Sequence, residues 1–441
     1  MPSPLKLFVA ALGSFVLIVG LVPAASAAQA RPASPYVTAA TLHTITLKWP
    51  KVSKAKRYTL HYSTSPGRAT KKSARVKASK GRRTTLKVTG LGRGRQYCFA
   101  IRAIRGGKAG PRSLPVCGHT LKRKVRTKRP HVSVATFNVC AFADNCRRWT
   151  KKRENAVVRR IVEAKADVVA VQEVTRQADR LARRLEKYGY AHYTHRKRKR
   201  DEAIYYKTAK LEMDLEQRTA TICEIEPYGG DTTTWRFPRH FDAPTQQWYA
   251  HGPTGWFTEQ EVCRQRTARV EREGRIGSPT GATAAWAALR LKKNDKVYVF
   301  VSAHLSHGQS KAAGRLRGRE TRQLIKSVQA VAGNNAIVFM GDFNSYRGTV
   351  DDPPRRAMAR AGWFDAYDRS ATYRNSYLNS FNGWRQKVLP YRNWNGHIDR
   401  IFIRGSMGSK GWKVVAKTRG RTYVGTKASD HNLVRTTLYV R

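Results

Sequence analysis

The chain is short of acid. Its 441 residues hold 29 Asp plus Glu against 85 Lys plus Arg, a formal net charge of +56. An excess of that size excludes a surface built for cationic partners. It attracts polyanions instead, nucleic acid foremost, with binding that weakens steeply as salt rises. The same charge suits solubility, or adhesion to an anionic cell envelope or membrane surface, so it reports affinity and not chemistry. Long apolar runs are missing as well: after residue 22 no stretch is apolar enough to span a bilayer. Cysteine is scarce, and the six present show neither Cys-x-x-Cys nor a Cys/His spacing, which argues against a zinc site.

What is present starts with a compartment signal. Lys6 precedes an apolar run from Leu7 to Val22, followed by Pro23 and Ala25-Ser26-Ala27. A basic start, a short apolar core and an A-x-A site predict a secretory signal peptide over residues 1–30, and so a secreted, extracellular protein, in the medium or on the cell wall. Six cysteines fit an oxidising destination. Sequence alone leaves many pairings open, and proximity favours Cys98–Cys117, Cys140–Cys146 and Cys223–Cys263.

Residues 32–120 alternate in short strands, among them Thr44–Trp49, Tyr58–Tyr62, Thr84–Val88 and Tyr97–Ile101. Strands at this spacing predict an all-β, immunoglobulin-like sandwich domain. Residues 121–130, basic and closed by Pro130, read as a linker. From His131 to Arg441 the period changes, and strands alternate with helices. Helices are expected over Lys151–Ala164, Gln177–Lys187 and Arg315–Ala330, with strands at Asp167–Glu173, Ala285–Leu291, Lys296–His304 and from Ala336 until the run breaks at Gly341. That alternation predicts a layered α/β domain over residues 131–441, its sheets covered by helices. Between Cys223 and Cys263 lie Trp235, Phe237, Phe241, Trp248, Tyr249, Trp256 and Phe257 with little periodicity. This is either a disulfide-closed excursion packed on itself or an aromatic lid for bases or a bilayer.

Chemistry gathers at strand ends. Asn138, Glu173, His304, Asp342, Asn344, Asp399 and His431 each sit at or just after an apolar β-like run. One edge of a packed sheet is where open α/β proteins place ligand sites. Glu173 with Asn138 and Asp430 is an all-oxygen set suited to a hard divalent cation, Mg²⁺ first, with Mn²⁺ or Ca²⁺ as alternatives. His431 and Asp399 suit a base and the carboxylate that orients it. Asp342 can position a water, while Asn344 and His304 can donate hydrogen bonds to a phosphoryl oxygen. Asp342 and Asn344 also fit a simple turn, since both are turn residues.

Two resemblances attach to these residues. Trp49, Tyr58-x-Leu60-x-Tyr62, Leu91 six residues before Tyr97, and Ser113-Leu-Pro-Val116 resemble a fibronectin type III domain. Thr136-Phe-Asn138, Gln172-Glu173, Ser302-Ala-His304-Leu, Gly341-Asp342-Phe-Asn344, His397-Ile-Asp399-Arg and Ser429-Asp430-His431 resemble, in order, the motifs of the endonuclease/exonuclease/phosphatase superfamily. That second resemblance implies a four-layered α/β sandwich, two β-sheets flanked by helices, and metal-dependent phosphoester hydrolysis. In the family Glu173 would bind metal, His304 would contact phosphate and Asp399 would support the catalytic His431, with Arg319 and Gln323 on the helix that follows His304. The combined expectation is a secreted metal-dependent phosphodiesterase acting on DNA or RNA. A sphingomyelinase-like phospholipid phosphodiesterase and a polyanion-binding module without turnover are the alternatives.

Overall fold

The structure is a computed structural model. It describes residues 30–125, 129–141, 146–194, 201–227, 239–242, 247–250, 259–271, 273–277, 282–347, 352–388, 396–404 and 407–440, with the side chains of 194 and 215–277 excepted. The expected leader lies outside the described residues, as do Trp235, Phe237, Trp256, Phe257 and the side chains of Phe241, Trp248 and Tyr249.

The N-terminal part carries β1 (Tyr36–Ala40), β2 (Ile45–Lys48), β3 (Arg57–Ser63), a short helix α1 (Pro66–Ala69), β4 (Arg75–Ser79) and β5 (Thr85–Val88). It closes with β6 (Gln96–Arg105), β7 (Lys108–Arg112) and β8 (Val116–His119). Trp49 is buried edge-on against Tyr58, and the Tyr97 hydroxyl accepts from Gly92 N at 2.7 Å, so the aromatic marks fold as a fibronectin type III sandwich. The Cys98–Cys117 disulfide joins β6 to β8.

The larger part begins with β9 (His131–Asn138), α2 (Lys151–Ala164), β10 (Val168–Gln172), α3 (Ala178–Glu186), β11 (Tyr190–Thr194), β12 (Glu202–Lys207) and β13 (Leu211–Met213). An excursion follows, with β14 (Leu215–Pro227), β15 (Arg239–Asp242), β16 (Gln247–Ala250), β17 (Glu259–Glu271) and β18 (Glu273–Gly277). The second half contains β19 (Thr283–Leu291), β20 (Lys296–His304), α4 (Lys311–Ala332), β21 (Ala336–Asp342), α5 (Pro353–Arg360), β22 (Trp363–Asp365) and β23 (Ser370–Arg374). Last come β24 (Asp399–Arg404), β25 (Gly408–Val415), β26 (Thr418–Arg419), β27 (Thr422–Tyr423) and β28 (Leu433–Tyr439).

Strand alternation explains the layers. Val132, Val134, Val168 and Ala170 point into one core with Tyr298, Phe300, Val338 and Met340 of the second sheet. Their neighbours Phe137, Val169 and Val171 point the other way, onto Val157, Ile161, Leu181 and Leu185 of α2 and α3. Val299, Val301, Ile337 and Phe339 likewise meet Leu324, Ile325 and Val328 of α4. Strands apolar on both faces demand cover on both, and helix, sheet, sheet, helix is the result. Helix α4 runs longer than its apolar spacing suggests because the Ser310 hydroxyl caps it by accepting from Ala313 N. In place of an aperiodic loop, β14 and β17 pair as a long antiparallel ribbon in which Cys223 stands opposite Cys263. Their side chains, and hence the expected third disulfide, lie outside the described residues.

The N-terminal sandwich is not a bead on a string. Its β1 pairs with β23 at Ala39 and Thr372, so one ten-stranded sheet runs β11-β12-β10-β9-β28-β25-β23-β1-β2-β5. The Ser376 hydroxyl donates to Val37 O, Arg347 donates to Cys117 O at 3.2 Å, and Arg355 donates to Gln96 Oε1 at 2.8 Å. His119 Nδ1 lies 2.9 Å from Asp368, which also pairs with the buried Arg347. Residues 1–143 contain no Asp or Glu at all, so every carboxylate at this junction comes from the larger part. Burial alone would raise the Asp368 pKa, but Arg347 and then His119 hold it well below the ordinary range. Its stabilisation is therefore complete above the unfolded carboxylate's range and is lost as pH falls toward the folded value. Asp368→Ala should cost about 3–5 kcal/mol in denaturant unfolding at pH 7, because it strands a buried guanidinium. A loss below about 1 kcal/mol would show that the junction does not rely on this pair.

Candidate active site

Four strand ends converge. Parallel pairing sets Asn138 beside Gln172 and His304 beside Asp342, while antiparallel pairing sets Asp342 opposite Asp399. Between the sheets, the Thr136 hydroxyl donates to Gln172 Oε1 at 3.1 Å and Gln172 Nε2 donates to Ser302 Oγ at 2.9 Å, all three fully buried. This polar tie fixes the register of the two sheets at the edge that carries the site.

The Asp342 carboxylate is the centre. Its Oδ2 lies 3.2 Å from Asn138 Nδ2, 3.8 Å from His304 Nε2 and 3.7 Å from His431 Nε2. Asn138 Nδ2 also donates to Glu173 Oε1 at 2.8 Å, while its Oδ1 accepts from Cys140 N at 2.9 Å. One amide thus spaces two carboxylates. Glu173 holds φ of +52°, a strained conformation for a side chain of this kind, which turns its carboxylate toward His304 Nε2 at 3.7 Å. On its other side, Glu173 Oε2 lies 3.5 Å from Cys146, whose disulfide to Cys140 closes the loop after β9.

The strand that delivers Asp342 does not break at Gly341. It runs through to Asp342, and Gly341 is needed because a Cβ there would sit 2.0 Å from Ala303 O. Asn344 then turns, with φ of +45°, and its N donates to Asp342 Oδ1 at 2.9 Å. Turn and site coincide: Asn344 Nδ2 donates to Leu305 O and reaches within 3.4 Å of His304 Nε2.

His431 Nδ1 meets Asp399 at 2.9 and 3.1 Å, leaving Nε2 toward Asp342. Burial by itself would lower the His431 pKa, but Asp399 and Asp342 override it and hold it well above the usual value. Among the described residues, ligand-capable atoms cluster twice within 4.8 Å: Asp342 with Asp399 and His431, and Glu173 with the two disulfide sulfurs. Disulfide sulfur is a poor ligand, so the usable donors here are carboxylates and imidazole, which suits a divalent cation. Asp430 belongs to neither cluster; its carboxylate accepts from Ser429 Oγ at 3.1 Å.

Some residues escape strand-end reasoning. The buried Ser380 hydroxyl accepts from Ile398 N and Asp399 N at 2.9 and 3.0 Å and so places Asp399. Its surroundings, Asn379-Ser380-Phe381-Asn382, follow no apolar run and carry no signal. Arg153 is buried, donates to Val139 O, Cys140 O and Ala428 O, and lies over Trp384. Burial pushes it down to about 10, with Asp430 and Glu173 pulling the other way. In sequence it hides in Lys151-Lys152-Arg153, which looks like a solvated helix start. Glu202, a carboxylate that could steady His304, instead accepts from Thr283, the cross-strand neighbour of His304. Tyr205 packs in its strand and donates to Ala178 O. His307 is exposed, whereas His397 packs on Trp412 and Tyr367, where burial, then Arg347 and Arg400, push it to about 3.

A profile of the Endonuclease/Exonuclease/phosphatase family matches residues 135–431, and a Fibronectin type III domain profile matches residues 30–118. No curated protein matches the chain. An endonuclease/exonuclease/phosphatase family protein from Bacteroides thetaiotaomicron is 16% identical, covering 71% of this chain and 99% of its own at a TM-score of 0.47. One from Bacteroides vulgatus is 19% identical, covering 71% and 100% at a TM-score of 0.47. D. rerio TDP2 complexed with a single-strand DNA product is 14% identical, covering 70% and 99% at a TM-score of 0.41.

The spacing role of Asn138 is open to test. Asn138→Ala should destabilise the EDTA-treated protein by about 1–3 kcal/mol in thermal or denaturant unfolding, since it removes the donor that Glu173 and Asp342 share. Unchanged stability would show that the two carboxylates do not depend on it.

Proposed function

The chain belongs to the endonuclease/exonuclease/phosphatase family, and we propose that within it this protein is a secreted, Mg²⁺-dependent nuclease that hydrolyses phosphodiester bonds of DNA. Members of the family are hydrolases of phosphoester bonds. The observation that carries the proposal is the convergence of Asn138, His304 and His431 on one oxygen of Asp342. Phosphoryl transfer asks a protein mainly for positioning and for charge placed against the phosphoryl oxygens. Here Asp342 holds the attacking water, and His431, kept in one tautomer by Asp399, takes its proton at Nε2. His304 and Asn344 donate to the phosphoryl oxygens. Glu173 would hold the metal ion, with Asn138 and Asp430 as the further candidate ligands. A divalent ion held there would neutralise charge developing on the phosphoryl group, and its positive charge would act against the carboxylate field that raises the His431 pKa.

A polyanionic substrate is supported by helix α4. Lys311, Arg315, Arg319, Arg322 and Lys326 are exposed at helical spacing along one face, a ridge of about 22 Å at 1.5 Å per residue. No ion pair among the described residues involves them, and the helix's one acid, Glu320, is buried against Ser306. On α2 and α3 some cations are paired, Arg180 and Arg184 with Glu154 and Arg160 with Glu163, while Lys151, Lys152, Arg159 and Arg183 are exposed and enter no ion pair among the described residues. The ridge starts just beyond His304, and Arg317 beneath it lies within the electrostatic reach of Asp342. Secretion is supported by the two disulfides and the fibronectin type III domain, and no helix among the described residues is long and apolar enough to cross a membrane.

Plasmid DNA, RNA and sphingomyelin liposomes, each with and without EDTA, separate the substrates. DNA cleavage abolished by EDTA is expected, and both Asp342→Asn and His431→Ala should lower kcat by about 10³-fold or more. Release of phosphocholine without cleavage of nucleic acid would replace the nuclease with a phospholipid phosphodiesterase, and salt-dependent DNA binding without turnover would leave a binding module. Arg315→Gln with Arg322→Gln should raise KM for plasmid and flatten its salt dependence by about 0.9 in log–log slope for each phosphate that is no longer neutralised. Turnover of a small phosphodiester should be unaffected.

A further inference from the structure

The N-terminal sandwich holds a cleft that the hydrolytic site does not use. It lies between α1 and the outer face of the β4-β3-β6-β7 sheet, with a volume of about 630 Å³. Arg31, Lys72, Arg102 and Arg112 supply its charge, and Pro66 and Leu114 give it an apolar wall. No lining residue is acidic, and all of them fall within residues 1–143, which lack Asp and Glu.

The fold forces these cations together. Arg102 and Arg112 are directly opposite one another on β6 and β7, both half-buried. Like charges in that relation are destabilising. Backbone carbonyls take only part of their hydrogen-bonding capacity: Arg102 Nε donates to Gly110 O at 2.5 Å, and Arg112 donates to Lys71 O. On the same face, beside Arg102, Thr59 and His61 of β3 follow in register. His61 is 5% exposed, its Nε2 lies 3.1 Å from Thr59 Oγ1, and its Nδ1 is buried without a partner. Burial, then Arg112 and Arg102, push its pKa down to about 4, so it adds no charge at neutral pH. Arg112 is itself lowered, by burial and then by Arg102. A half-buried, acid-free group of guanidiniums with unused donors is the complement of a phosphate, whose oxygens match the planar fork.

We propose that this cleft binds a phosphate group of a nucleotide chain, with Arg102 and Arg112 on the phosphate oxygens, Lys72 and Arg31 at the rim and the nucleoside against Pro66 and Leu114. The volume exceeds what free phosphate needs and falls within the range of small-molecule sites. The cleft shares no lining residue with the catalytic edge and needs no turnover, so it stands or falls separately from the hydrolase assignment.

The test is calorimetric titration of the full chain with the dinucleotide pTpT, and separately with inorganic phosphate and glycerol phosphate, in EDTA and about 0.15 M salt. Arg102→Gln and Arg112→Gln should each weaken pTpT binding about tenfold, as expected for losing one charge-assisted pair. The rim variant Lys72→Gln should weaken it in the same direction. Lys187→Gln with Lys293→Gln, an exposed pair outside both the α4 ridge and this cleft, should leave it unchanged. Without ligand, Arg102→Gln should melt no lower than the parent, because a repulsion is relieved. Equal weakening by the control pair would reduce the effect to diffuse charge and overturn the proposal, as would failure of pTpT to bind. Tight binding of glycerol phosphate equal to that of pTpT would overturn the nucleotide assignment. A lower melting temperature for both Arg102→Gln and Arg112→Gln, with pTpT binding intact in Lys72→Gln, would mark the two arginines as structural.

Discussion

Two buried carboxylates stand side by side at the heart of this molecule. Asp342 ends β21 and Asp399 begins β24, directly opposite in an antiparallel pair and each 1% exposed. Left alone, that arrangement would be untenable, because like charges facing each other in a dry sheet repel strongly. Everything around them answers the problem. His431 lies against Asp399 and faces Asp342, Asn138 donates to Asp342 and Glu173, and Ser380 meets the backbone N–H of Asp399. The field that makes His431 unusually basic and the field that would draw a divalent cation are one field.

The same constraint explains what the chain itself discloses. Each site residue at a strand end is legible because an apolar, β-branched run delivers it, and buried runs leave few choices for where the strand can lie. Gly341 reads as a break in the sequence but is not one, since its role is tertiary: the backbone of Ala303 occupies the space a Cβ would take. Asn344 fits both a turn and a site, and it is both. Ser380 and Arg153 are illegible for a shared reason. Their work is done toward backbone groups far away in sequence, and no local pattern marks a residue whose partner is a distant N–H or carbonyl. The joining of β1 to β23 is equally hidden, because it depends on how two folded units meet.

Charge is distributed with the same economy. An acid-free N-terminal region docks onto a carboxylate that only the larger part can provide: His119 lies on Asp368, whose partner Arg347 donates to Cys117 O. Buried acids of the larger part serve that junction, the Arg400 pairs with Asp352 and Asp365, and the edge that carries the candidate site. What remains on α4 and in the cleft beside β6 and β7 is cation without a counterpart. A cluster of carboxylates beside a cationic helix suits a metal ion and a polyanion meeting at one place.

In-line attack on phosphorus by a water held by Asp342 is tested most directly by cleaving a DNA phosphorothioate of one configuration in water enriched in oxygen-18. The expected product is a labelled phosphorothioate monoester with inverted configuration at phosphorus. Retention would require a covalent intermediate on the protein and would contradict direct attack by water.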